Sequence, residues 1–176
     1  MNKIKNAIRT IPNFPIDGIM FRDVTTLYSN SEAMKEVIKL TCDYWKNKSL
    51  TIIAGIEARG FITGSIIANQ LSLPFVPIRK KGKLPYDKLS QDYELEYGKA
   101  SIEIHSDALN GNDKVLIVDD LIATGGTALA SIELVKKLNG NISGCSFIID
   151  LPELGGKKKI ENEGIEVQAL CSFEGH

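Results

Sequence analysis

Val115-Leu-Ile-Val-Asp-Asp-Leu-Ile-Ala-Thr-Gly-Gly-Thr127 places a strand, an acidic edge, a glycine loop and a helix start in thirteen residues. Val115 to Val118 are apolar and three of the four are β-branched, the pattern of a short strand buried on both faces. Asp119 and Asp120 follow where such a strand reaches the open edge of its sheet. Thr124-Gly-Gly-Thr127 is small enough for backbone N–H groups to close on an anion. Residues 128–138 have helical spacing, which puts those N–H groups at a helix N-terminus, where the dipole favours a phosphate. Carboxylates able to hold hydroxyls or a metal thus stand beside a phosphate cradle, and that pairing points to a sugar phosphate. The stretch is neither a P-loop nor a dinucleotide fingerprint, because G-x-x-x-x-G-K-[ST] and G-x-G-x-x-G are both absent.

Moving outward, strand and helix patterns alternate. Residues 51–55, 75–78, 145–149 and 167–170 read as strands; residues 29–45, 61–71 and 157–162 read as helices, the first opened by a Ser29-Asn-Ser-Glu32 capping box. The alternation implies right-handed crossovers, a parallel sheet and ligands bound beyond the strands' carboxyl ends. Residues 93–97 and 100–104 alternate in period two around Gly98-Lys99 and predict a β-hairpin, for which the bland reading of Glu94, Glu96 and Glu103 is simply the solvent-facing half of an antiparallel pair. Residues 3–10 predict a short amphipathic helix ending before Pro12. Residues 11–23 are broken by Pro12, Pro15 and Gly18 yet carry Phe14, Ile16, Ile19, Met20 and Phe21, too apolar for a solvated linker. On helix 128–138, Glu133 and Lys137 are spaced as a favourable i,i+4 pair. Arg79-Lys-Lys-Gly-Lys-Leu-Pro-Tyr-Asp-Lys88 puts five cations in one loop. Such a loop is ordinarily solvated, but leaving a strand at the ligand-binding edge it fits a lid over an anionic substrate.

The chain of 176 residues is expected to form one domain, with 43% hydrophobic and 24% charged residues. A net charge of −1 argues against a general nucleic-acid or membrane-surface binder. The charged N-terminus does not read as a signal peptide, and no apolar run reaches transmembrane length. Cys42, Cys145 and Cys171 are odd in number and form no C-x-x-C pair, which predicts reduced thiols in a cytoplasmic protein.

Residues 115–127 resemble the phosphoribosyl-pyrophosphate signature of the type I phosphoribosyltransferases. Phe14-Pro-Ile-Asp-Gly-Ile-Met-Phe-Arg-Asp23, Gly55-Ile-Glu-Ala-Arg-Gly-Phe61, Arg79-Lys-Lys-Gly-Lys-Leu-Pro85 and Leu95-Glu-Tyr-Gly98 extend the likeness to the adenine-using members of that family. The resemblance implies an α/β fold with a central, mostly parallel sheet flanked by helices, an N-terminal hood over about residues 1–30 and a flexible lid over about residues 79–100. It implies transfer of the phosphoribosyl group to N9 of adenine, giving AMP and pyrophosphate, in a homodimer that uses Mg²⁺ carried by the substrate. By the same likeness Asp119 and Asp120 hold the ribose hydroxyls near the metal, and Ala123, Thr124, Gly125, Gly126 and Thr127 bind the 5-phosphate. Arg59, helped by Arg79 and Lys83, receives the pyrophosphate; Glu96 is the proton-handling carboxylate. Adenine is expected between Phe21 and Leu154, read by backbone near Met20, with Arg22 serving either the pocket or a subunit interface. Glu57-Ala58 departs from the Asp-Ser of many relatives. Two alternatives differ in the acceptor or the chemistry: another purine such as xanthine or hypoxanthine, or a non-catalytic regulator that keeps the sugar-phosphate site.

Overall fold

Apolar runs at 52–56, 115–118 and 145–149 each become the interior of a strand buried along its length. The structure, a computed structural model, describes residues 2–95 and 98–175. In chain order these form α1 (Asn2–Asn6), β1 (Arg9–Pro12), β2 (Met20–Asp23), α2 (Thr25–Tyr28), α3 (Ser31–Trp45), β3 (Ile52–Ile56), α4 (Arg59–Leu71) and β4 (Phe75–Lys80). There follow β5 (Lys88–Leu95), β6 (Gly98–His105), β7 (Lys114–Ile122), α5 (Gly126–Lys137), β8 (Asn141–Asp150), a 3₁₀ turn (Pro152–Leu154), α6 (Gly156–Asn162) and β9 (Val167–Ser172).

Seven strands form one sheet in the order β5-β6-β4-β3-β7-β8-β9. The run from β4 to β9 is parallel, while β6 pairs antiparallel with both β4 and β5. The mostly parallel α/β architecture expected from the alternation is therefore present, with the hairpin continuing the sheet at one edge. From β3 the chain crosses to β4 on one side and returns to β7 on the other. The loops after β3 and β7 diverge there and leave a crevice at the switch point.

Alternate residues of the central strands feed opposite layers. Ile52, Ala54, Ile56, Val115 and Ile117 pack with Ile132 and Val135 of α5, whereas Ile53, Leu116 and Val118 pack with Trp45 of α3 and Ile67 and Ala68 of α4. A fully buried Ile or Leu of this kind contributes about 1.5–3 kcal/mol relative to exposure. Trp45 Nε1 donates to Gln168 Oε1 at 2.7 Å, so its polar atom is satisfied inside the layer. A third cluster, including Ile4, Ile8, Val24 and Leu27, seats the N-terminal segment against Ile148, Ile149 and Leu151.

Several local expectations change. The helix expected over 3–10 stops at Asn6, because β-branched Thr10 and Ile11 find strand partners in Arg22 and Phe21. Asn30 rather than Ser29 caps α3, its side chain accepting from Ala33 N at 3.0 Å. Helix α4 begins at Arg59, two residues before the helix expected over 61–71. The central strand runs through the acidic pair to Ile122, since β8 keeps pairing with it. Glu103 is 2% exposed rather than solvent-facing, covered by the turn at 81–83. Glu133 pairs with Lys136, while Lys137 reaches Ser90 O on β5.

Candidate functional site

Pairing between β3 and β7 ends at Val118, so Asp119 and Asp120 project where the sheet opens. Asp120 is buried and its Oδ2 lies 2.5 Å from Arg59 Nε, at the first residue of α4. Asp120 N donates to Asp119 Oδ1 at 2.8 Å, which turns the two carboxylates toward one cleft. Burial pushes the Asp119 carboxyl well above the usual carboxylate range, and the charge of Asp120 adds to the shift. Ligand hydroxyls or a cation would restore what burial takes from this pair. Tyr28, at the end of α2, stands at the same edge with its hydroxyl 3.4 Å from Arg59 O. Burial pushes its phenol up, and Asp120 adds to the effect.

The glycine loop expected to take a phosphate follows directly. Gly125 is the N-cap of α5 with φ +85°, a left-handed conformation that glycine adopts without strain. It leaves the first N–H groups of α5 facing the cleft, with the dipole behind them. The loop is braced from outside by the start of α6. Gly156 N donates to Ala123 O at 3.0 Å, and a Cβ on Gly156 would lie 2.3 Å from that oxygen and 2.5 Å from Gly125 N. Lys159 Nζ, one turn further, donates to Thr124 O at 3.0 Å. From the other side Tyr93 and the backbone of Glu94 on β5 close over Gly126.

A cleft of about 400 Å³ brings together Arg59, Asp119, Asp120 and all of Ala123 to Thr127. Glu57, Lys80 and Tyr93 also stand on its walls. The peptide bond between Glu57 and Ala58 is cis. Arg79 and Lys83 are not on these walls. Arg79 Nε donates to Glu57 Oε2 at 3.1 Å and its Nη1 to Lys83 O at 3.1 Å, and Lys83 is exposed. Glu96 lies outside the described residues.

Under the N-terminal segment a second, largely apolar pocket of about 320 Å³ is lined by Ile11, Phe14, Phe21, Arg22, Thr25 and Arg59. Arg59 belongs to both cavities and marks where they adjoin. Phe21 meets Phe14 edge to face at 5.1 Å, and Met20 is half-buried beside it on β2. Leu154 sits in the 3₁₀ turn, packed in the apolar cluster that also holds Leu121 and Ala123, and lines neither cavity. Arg22 is buried, its guanidinium donating to Thr10 Oγ1 at 2.7 Å and to the carbonyls of Glu174 and Gly175, both at 2.9 Å.

Three residues of the site escaped sequence reasoning. Tyr28 and Lys159 carry no local signal. Gly155-Gly156, beside a predicted helix start, offered one, because paired glycines there permit close backbone approach.

The geometry can be set beside known proteins. The family described as "Phosphoribosyl transferase domain" matches residues 23–169. An adenine phosphoribosyltransferase of Ruegeria pomeroyi is 54% identical over 172 residues, covering 98% of this chain and 96% of its own. That of Shewanella frigidimarina is 52% identical over 172 residues, covering 98% and 94%. Among solved structures, adenine phosphoribosyltransferase from Thermoanaerobacter pseudethanolicus superposes with a TM-score of 0.93 at 43% identity, over 98% of this chain and 99% of that one. The Saccharomyces cerevisiae enzyme, complexed with adenine and an imino-altritol bisphosphate, gives 0.91 at 36% identity, over 97% of each chain.

Proposed function

Because the chain belongs to the phosphoribosyltransferase family, we propose that it transfers the 5-phosphoribosyl group of phosphoribosyl pyrophosphate to adenine, giving AMP and pyrophosphate. The observation that carries this reading is the adjoining of two cavities at Arg59: one holds an acidic pair and a phosphate loop, the other is apolar and faced by Phe21.

In this reading the 5-phosphate binds the N–H groups and hydroxyls of Ala123 to Thr127. Asp119 and Asp120 accept from the ribose hydroxyls and stabilise the positive charge that develops on the ring as pyrophosphate leaves. Arg59 and Lys80 meet the pyrophosphate from the cleft wall. Arg79 and Lys83 join when the turn at 81–87 folds inward and Arg79 leaves Glu57, excluding water from the ribosyl cation. Adenine lies in the apolar pocket against Phe21, where stacking supplies affinity and backbone groups near Met20 discriminate the base. Its N9 bonds to the ribose carbon and gives up a proton, which Glu96 receives.

Mg²⁺ is the proposed cofactor, and the donor set fits it. Two carboxylates supply hard oxygen ligands, and among the described residues no group of three or more His, Cys, Asp or Glu side chains is arranged to hold a metal. A Mg²⁺ near Asp119 and Asp120 would be shared with substrate oxygens, and would neutralise charge on the leaving pyrophosphate. The exposed Ile62 and Ile66 on α4 support a homodimer, as a patch that a second copy would cover. Three free cysteines accord with a reducing compartment, and purine salvage in the cytoplasm is the proposed setting. The direct test is incubation with phosphoribosyl pyrophosphate, Mg²⁺ and adenine: AMP accumulates if the reading holds, and its absence contradicts it.

A further inference from the structure

The Phe21 wall of the apolar pocket and the 3₁₀ turn that carries Leu154 come from distant parts of the chain. Phe21 is on β2 in the N-terminal segment, and Leu154 is in the 3₁₀ turn after β8. The segment that follows β9 reaches both. Phe173 N donates to Asp150 O at 3.1 Å, starting the segment beside the end of β8. The Arg22 guanidinium then takes the carbonyls of Glu174 and Gly175 through Nη2 and stacks on the Phe173 ring at 4.6 Å. Gly175 N, in turn, donates to Glu153 Oε1 at 3.3 Å, next to Leu154. Arg22 adjoins Phe21 in sequence and is buried, so these bonds form where solvent competes little.

We propose that residues 173–175 act as a strap that fixes the Phe21 wall of the adenine pocket against the 3₁₀ turn, with Arg22 and Glu153 as its two anchors and as positioning residues for the base. The proposal rests on the reading that this pocket takes adenine. Arg22 acts through the segment it holds: its guanidinium is engaged by Thr10 Oγ1 and two carbonyls. Its sequence position beside Phe21 converts that hold into a fixed height for the ring.

The test uses two ligands that differ only in the base, AMP and ribose 5-phosphate, titrated calorimetrically against the full chain. Gly175→Pro removes the N–H that reaches Glu153 and cannot take the φ of +75° found there. Glu153→Leu removes the acceptor, and Glu153→Gln keeps one. Expected is a loss of AMP affinity of about tenfold in Gly175→Pro and Glu153→Leu, with ribose 5-phosphate held within about twofold and Glu153→Gln close to the parent in both. Unchanged AMP binding in both disruptive variants, or an equal loss for the two ligands, would overturn the strap. A parent protein that binds AMP no better than IMP or GMP would instead overturn the adenine reading on which the strap depends.

Discussion

Gly156→Ala adds one methyl group at the point where α6 meets the phosphate loop. The new Cβ would stand 2.3 Å from Ala123 O, 2.5 Å from Gly125 N and 2.8 Å from Thr124 C, all of them backbone atoms that no rotamer change can move. Restoring an ordinary contact of about 3.5 Å requires α6 and the loop to separate by roughly 1 Å. That separation also weakens the bond from Gly156 N to Ala123 O. Overpacking of this kind costs about 1–3 kcal/mol. For a chain of 176 residues that corresponds to a fall in Tm of about 2–12 °C. The effect on function should be larger, because a displacement of about 1 Å in a positioning element costs on the order of 100-fold. The assay is a thermal melt with and without AMP, together with kcat/KM for phosphoribosyl pyrophosphate. Expected is a modest loss of Tm, a much reduced shift on adding AMP and a large fall in kcat/KM. Parent-like AMP stabilisation and turnover would refute the idea that α6 braces the loop.

Hydrogen bonds from Thr25 and Arg9 hold the Asp23 carboxyl down to about 2. The folded value lies below the ordinary one of about 3.9, so the contribution is present above pH ~4 and lost as pH falls toward ~2. With the exposed Arg9 side screened by solvent it amounts to about 1–2 kcal/mol. Asp23→Asn should therefore be less stable by that amount near pH 7 and show a flatter acid limb in chemical denaturation; parallel limbs would count against this. Glu103→Ala strands Gly82 N and Ser90 Oγ, which its carboxylate accepts at 2.9 and 3.2 Å, and should cost about 1–3 kcal/mol. Limited proteolysis within 81–87 should accelerate in that variant, and an unchanged cleavage rate would show that the turn is held by other means. Ile62→Glu with Ile66→Glu should shift sedimentation from dimer to monomer, whereas an unaltered profile would move the proposed interface elsewhere.

Much of this molecule is legible locally, because its central chemistry is contiguous. Residues 115–127 carry strand, carboxylates, loop and helix start in order, and the folded chain gathers them around one cleft. Readings failed where a distant partner overrode a local pattern. Thr10 and Ile11 left the expected helix for a strand facing Phe21 and Arg22. Glu103 alternates as a solvent-facing residue, yet the turn at Gly82 folds over it. Asp119 and Asp120 look like a strand end, but β8 carries the ladder past them. The same limit hid Lys159 and Gly156 behind the phosphate loop, since their partners lie some thirty residues away. Arg22 is the clearest case. Its sequence context leaves a choice between pocket and interface, while the fold sets it on the wall of the apolar pocket and ties its guanidinium to the segment after β9 within the same chain.

The central claim, that a sugar-phosphate cleft and an adenine-selecting pocket meet at Arg59, is tested most directly by competition. An equimolar mixture of adenine, hypoxanthine, guanine and xanthine is offered with limiting phosphoribosyl pyrophosphate and Mg²⁺, and the nucleotide products are separated by chromatography. AMP should dominate by roughly 10²-fold or more, as expected where a site reads an exocyclic amine by hydrogen bonds. Comparable amounts of IMP, GMP or XMP, or no nucleotide at all, would contradict it.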